Sequence, residues 1–188
     1  GDAATTARVQ VRHLVCACTG MPRQDMEMLF DETLTPDKVV RVLATMQPTS
    51  AFGELYQYSN AMAAAGGFTG GHVRYPTLEL GTAYDRAMQD LVFDPLDMRS
   101  TTFDFDRALR GNHASPHARD VHGRLVPLDL RVHRDRVRPS RPDGGAWSNV
   151  DDMLRYVRME LADGVLPDGS RYIGADALHE RLRQQVAT

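Results

Sequence analysis

The chain has 188 residues, 42% of them hydrophobic and 25% charged, with a formal net charge of −3. That composition suits one globular domain with a core of its own. Its near-neutral balance gives no electrostatic footprint for nucleic acid or an anionic membrane surface as partner. No apolar run approaches the roughly 20 residues of a membrane span. Lys38 is the single lysine, so any chemistry needing a lysine must use it or draw on residues outside this segment.

In chain order, Gly1 to Gln10 carries no charged-then-apolar export pattern and starts abruptly, as an excised segment or a processed product would. Arg8 to Val15 reads as a short apolar-rich segment closed by Thr19-Gly20-Met21-Pro22. Cys16 and Cys18 are two positions apart. Neither a helix nor a strand gives that spacing good bridging geometry, so the expectation is two small buried thiols, with neither a disulfide nor a metal site. A helix opens at Thr35-Pro36-Asp37, with a cap, a proline suited to the first turn and an acid at the positive dipole end. Val39, Val40, Leu43 and Met46 follow at helical spacing, and Pro48 closes the element.

Asn60 to Ala65 is small and apolar, but Gly66, Gly67, Gly70 and Gly71 leave the continuation of a helix there in question. Thr82 to Phe93 is a strong helix with Tyr84, Ala87, Met88, Leu91 and Val92 on one face and Pro95 as its stop. Thr101 to Pro142 lacks helical periodicity, and Val121 to Leu128 reads as a turn and an edge strand. Ser148 is expected to cap a helix with Asp151 three residues on, with Val150, Met153, Leu154, Val157 and Leu161 as its apolar face and Gly164 as its end. Pro167-Asp168-Gly169 is a turn, and Ala175 to Val186 is a last amphipathic helix with Leu178 and Leu182 inward. The expected fold class is mainly α with at most a small β-hairpin, and the order of elements excludes a doubly wound sheet.

Three constellations could carry chemistry. His113, His117, Asp120 and His122 include two histidines four apart, but Pro116 between them breaks the helix that would align them, and the stretch reads as a polar loop. No Gly-x-Ser-x-Gly elbow places a serine for a Ser–His–Asp triad, and no Gly-x-Gly-x-x-Gly follows a strand. The third is Tyr58-Ser59-Asn60, a Tyr-x-Asn pattern just before a run of small residues.

The neighbours of that pattern give it weight. Val11-Arg12-His13-Leu14-Val15 with Thr19-Gly20-Met21-Pro22, then Tyr58-Ser59-Asn60, then Phe93-Asp94-Pro95-Leu96-Asp97-Met98, then Gly144-Gly145-Ala146-Trp147-Ser148 with Asp151-Asp152-Met153 stand in order along almost the whole chain. Together they resemble landmarks of the serine β-lactamase-like proteins: class C β-lactamases, penicillin-binding proteins, D-amino-acid-acting peptidases and esterases. The resemblance implies a two-domain parent, an α/β sheet domain carrying a helical insertion, of which residues 1–188 look like the insertion alone. It also implies acyl transfer through a covalent serine intermediate, with Tyr58 and Asn60 as the catalytic residues supplied by this half.

No metal or organic cofactor is implied. The implied partners are the α/β domain of the parent and a small acyl substrate, with a second copy of the chain as a further occupant of the exposed face. The family is often exported in bacteria, which implies a periplasmic or secreted location. None of Ser50, Ser59, Ser100, Ser115, Ser140, Ser148 and Ser170 has lysine three residues later, and no Lys-Thr-Gly or His-x-Gly motif is present. Ala17 stands where the family often has histidine. This segment is therefore expected to be inactive alone. The competing expectation is a non-catalytic helical module that only binds a partner.

Overall fold

The computed structural model describes residues 1–186, the side chains of Glu27, Val132 and His133 apart. Helices α1 (Ala3–Arg8), α2 (Asp25–Phe30), α3 (Pro36–Val42), α4 (Asn60–Arg74), α5 (Leu80–Met88), α6 (Phe105–Arg110), α7 (Leu130–Val137), α8 (Val150–Leu161) and α9 (Ala175–Glu180) carry the architecture. One antiparallel hairpin, β1 (His117–Arg119) with β2 (Leu125–Pro127), pairs Ala118 opposite Val126. Tight turns at Val11–Leu14 and Arg138–Asp143 and a wide π-type turn at Gln89–Phe93 complete it. No helix among the described residues is long and apolar enough to cross a membrane.

The capped starts behave as their chemistry demands. The Thr35 hydroxyl accepts the Lys38 N–H at 3.3 Å, and Pro36 opens α3. Val39 and Met46 are fully buried in the main core with Met62, Phe68, Tyr84, Phe93 and Phe103. The helix after the Gly-Gly loop is capped one residue later than expected. Asn149 accepts the Asp152 N–H at 2.8 Å, while the Ser148 hydroxyl bonds that of Thr101 at 2.8 Å. Asp152 is buried and accepts from the Ser100 N–H, the Thr101 hydroxyl and Arg155, each at 2.8 Å, which pins α8 to the turn before α6. Gly164 ends α8 at φ 82°, and Gly169 forms the later turn at φ 83°.

Several expectations give way. Helix α4 continues through its four glycines to Arg74, and at Gly66, Gly67 and Gly71 the neighbours leave little room for a side chain. A Cβ on Gly66 would press on Val15 and Leu14, one on Gly67 on Pro142 and Tyr84, and one on Gly71 would lie 2.6 Å from the Tyr84 backbone nitrogen. The segment 101–142 holds α6 and α7, each started by an aspartate cap, Asp104 and Asp129. These caps mark helices too short to show a period. Helix α5 begins at Leu80, with Glu79 as its cap, and gives way to the π-type turn before Phe93. Helix α9 stops at Glu180; Leu178 is buried, but Leu182 is exposed, since it lies beyond the helix end.

Cys16 and Cys18 form a disulfide rather than two free thiols. Neither regular conformation behind that expectation is present: Ala17 sits at φ 52°, and this left-handed residue turns the chain so that the two Cα atoms come to 5.1 Å, inside bridging range.

The apolar face of α8 is correctly composed but uncovered. Val150, Met153, Leu154, Val157 and Leu161 are all exposed, Leu161 at 82%, while the opposite side buries Asp152 and Met159. Val11 and Val15 are exposed as well.

Candidate active site

The approach to α4 is built from the Cys16–Cys18 loop. The Gln57 N–H donates to the Ala17 carbonyl at 2.8 Å, and the Gly53 N–H donates to the Cys18 carbonyl at 2.7 Å. The Gln57 side chain is held at both ends, its Oε1 accepting from Ser50 Oγ at 2.8 Å and its Nε2 donating to Thr49 Oγ1 at 2.7 Å. Tyr58 therefore leaves a fixed residue. Ser59 is the extended N-cap position, and Asn60 is the first residue of α4. Gly20, at φ 79°, lies so close to the Ser50 carbonyl that no side chain would fit there, which accounts for the glycine of Thr19-Gly20-Met21-Pro22.

Tyr58 and Asn60 come to one end of one helix but face different cavities. Tyr58, 43% exposed, lines a small cavity of about 70 Å³ with His13, Val15, Ala17, Ser59 and Met62. The Ser59 hydroxyl is buried there without a hydrogen-bond partner among the described residues. Asn60 lines a second cavity, of about 200 Å³, with Arg23, Asp25, Arg136, Ser140 and Asp143. Arg23 connects the two: its guanidinium carbon stands 5.5 Å from the centroid of the Tyr58 ring while its side chain lines the Asn60 cavity. Arg23 Nε also contacts Asp25 Oδ2, and the other Asp25 oxygen is buried without a hydrogen-bond partner among the described residues.

Asp143 arrives on the turn Arg138–Asp143, which Arg141 anchors. That guanidinium is buried and grips Asp85 of α5 through Nε–Oδ1 at 2.6 Å and Nη2–Oδ2 at 3.0 Å. Asp143 has no such ion pair among the described residues; the Ser140 hydroxyl donates to it at 3.5 Å. Burial pushes its carboxyl up to about 6, the Ser140 hydrogen bond opposes the shift, and the Asp25 charge adds to it. Sequence reasoning missed Arg23, Asp25 and Asp143. Larger cavities lie beside Trp147, at about 390 Å³, and between Pro95 and α8, at about 290 Å³. Neither holds a residue of the Tyr-x-Asn pattern, whereas the Asn60 cavity brings that residue together with polar groups and the raised carboxyl of Asp143.

The raised pKa gives a stability signature. Between pH 3.8 and about 6 the folded chain binds more protons at Asp143 than the unfolded chain does. Stability therefore falls as pH rises through that window, and the penalty is complete above it. Asp143→Asn is expected to stabilise the chain by about 1–2 kcal/mol at pH 7.5, after allowance for solvent screening of a half-buried carboxyl, and by close to nothing below pH 3.8. Urea unfolding at the two pH values checks this; an equal effect at both would show that charge burial is not the cause.

The histidine-rich stretch does not converge. His113 and His117 turn their Nδ1 atoms to the carbonyls of Gly111 and Ser115, and Asp120 is occupied by Arg124 and the His122 N–H. Among the described residues no group of three His, Cys, Asp or Glu side chains could hold a metal ion.

The described residues form a mainly α unit whose only sheet is the two-stranded hairpin. The fold matches an octameric penicillin-binding protein homologue from Pyrococcus abyssi with a TM-score of 0.69 at 18% identity, over 96% of this chain and 40% of that one. The chain belongs to the β-lactamase family, whose pattern it matches over residues 1–187. It is 34% identical over 107 residues, 57% of its length, to penicillin-binding protein 4 of Amycolatopsis lactamdurans. It is 29% identical over 145 residues, 76% of its length, to protein Rv1367c of Mycobacterium tuberculosis. The matches cover only 27% and 34% of those two curated relatives.

Proposed function

We propose that this chain is the helical half of a serine hydrolase acting by acyl transfer on a β-lactam, a D-amino peptide or an ester, and that it contributes Tyr58 and Asn60 to a site completed by the α/β domain of the parent protein. The observation that carries the reading is the anchored turn that sets both residues at the head of α4, beside cavities and next to uncovered apolar surface. A serine hydroxyl is a weak nucleophile at neutral pH and needs a base beside it. The Tyr58 phenol would take that proton and return it to the leaving group. The Asn60 amide, which donates and accepts at once, would hold the acyl carbonyl of the substrate on one side and a catalytic lysine on the other. The exposed faces of α8 and of Val11 and Val15 would pack against the α/β domain.

The reading predicts inactivity in isolation. No serine here has the lysine partner, and the oxyanion donors belong to the other half; the loss of even one such donor typically costs on the order of 100- to 1,000-fold. The test is incubation with a fluorescent penicillin followed by mass spectrometry, on this chain and on the full-length parent. The parent should form a one-to-one serine adduct and the chain none. A stoichiometric adduct on the chain overturns the assignment of the nucleophile. A parent that is not labelled and hydrolyses neither β-lactams nor esters supports the second reading, an interaction module, which the uncovered face of α8 favours.

A further inference from the structure

Resting on the reading of Tyr58 as the proton-carrying phenol, we infer that Arg23 is a positioning residue that holds the Tyr58 ring in its working orientation and presents a fixed positive charge to it. The backbone before Tyr58 is well anchored, but the side chain is not. The residue is 43% exposed, and no hydrogen bond to its hydroxyl is seen among the described residues. The charged group against the ring is the Arg23 guanidinium, its carbon 5.5 Å from the ring centroid, within the range where a cation is attracted to an aromatic face.

Arg23 is itself held in place. Its Nε contacts Asp25 Oδ2, and Asp25 is the first residue of α2, where its backbone is fixed and its negative charge suits the helix end. The pair is part-exposed, so it adds little stability; its effect is to define where the guanidinium points. A planar, permanently charged guanidinium can lie against a ring while bonding edge-on to a carboxylate, which a lysine ammonium cannot reproduce. Arg23 also lines the cavity that holds Asn60 and Asp143. One side chain thus lies against the ring of Tyr58 and lines the cavity of Asn60, two residues that otherwise open into separate spaces.

If Arg23 were only a surface ion pair, its removal would leave turnover unchanged. If it acts through Tyr58, its removal matters only while the phenol is present. The experiment is a double-mutant cycle in the full-length parent, using Arg23→Met, Arg23→Lys, Tyr58→Phe and the Arg23→Met/Tyr58→Phe pair. Arg23→Met should lower kcat roughly 3- to 30-fold with KM unchanged within twofold, the range that cation–aromatic contacts span between exposed and desolvated sites. Arg23→Lys should recover part of the loss, and Arg23→Met should have no further effect once Tyr58 is phenylalanine.

A large Tyr58→Phe effect with a silent Arg23→Met overturns the Arg23 assignment alone, as does an equal Arg23 effect in both backgrounds or a change confined to KM. A silent Tyr58→Phe overturns the reading of Tyr58 and, with it, any role for Arg23 in turnover. Proton NMR of this chain separates contact from catalysis. Stacking places the Arg23 side-chain protons upfield through the ring current, and Tyr58→Leu should return them to ordinary positions. Arg23 shifts that Tyr58→Leu leaves unmoved would overturn the contact itself.

Discussion

Tyr58→Phe in the full-length parent is expected to cut turnover by roughly 100- to 10,000-fold, the usual worth of a positioned acid–base group, while leaving the unfolding transition of the helical half where it was. The second part follows from the surroundings of Tyr58. Its hydroxyl bonds to nothing among the described residues, its ring is part-exposed, and its backbone is placed by Gln57, Gly53 and the Cys16–Cys18 loop. Removing one oxygen orphans no buried partner, so neither a cavity nor an unsatisfied donor is left to destabilise the fold. The loss should appear in kcat and in kcat/KM together, because the proton moves only in the transition state. Steady-state kinetics with a chromogenic ester or cephalosporin, beside a thermal melt of the variant, makes the check. Turnover preserved within a few-fold would take Tyr58 out of the catalytic assignment. A collapse of the melt would show instead that the hydroxyl has a structural role.

What the sequence made legible was local. Thr35-Pro36-Asp37, the hairpin near Val121 to Leu128, Gly164 and Gly169 each act within a few residues, by a cap, a turn or a left-handed backbone, and each sits where its own chemistry puts it. The Tyr-x-Asn pattern was legible for the same reason: its three residues are contiguous and lie at a helix start. What was not legible depends on chain brought from far away. Arg23, Asp25 and Asp143 meet Asn60 from the approach to α2, from α2 itself and from the turn after α7, and no spacing rule joins residues so distant in sequence. The composition of the α8 face could be read, but its direction could not. An amphipathic pattern says which side is apolar, and here that side is exposed among the described residues. Cys16 and Cys18 misled because helix and strand were the conformations considered, whereas the left-handed Ala17 makes a third.

The glycines of α4 give the sharpest case of distant chain overriding local propensity, and two substitutions one residue apart should separate the two effects. Gly70 is exposed with nothing within 4 Å of the place a Cβ would occupy, so Gly70→Ala should obey helix propensity and stabilise the chain by about 0.5–1 kcal/mol. Gly71 is buried against the middle of α5, where a Cβ would sit 2.6 Å from the Tyr84 nitrogen and 2.7 Å from its Cα. These are backbone atoms of a packed helix, not the tip of a flexible side chain. Relief therefore requires α4 and α5 to separate, loosening the contacts of Phe68 with Tyr84 and of Tyr84 with Phe103. Overpacking of this kind costs about 3 kcal/mol, which far exceeds the gain in propensity. For a domain of this size that corresponds to a fall in Tm of roughly 6–12 °C. Because α4 begins at Asn60, the same displacement would reach the candidate site, and Gly71→Ala in the parent should lose activity at temperatures where Gly70→Ala keeps it. Differential scanning calorimetry of the two variants decides the matter. A Gly71→Ala melt at or above that of the unsubstituted chain would show that α4 and α5 do not approach as closely as this packing requires.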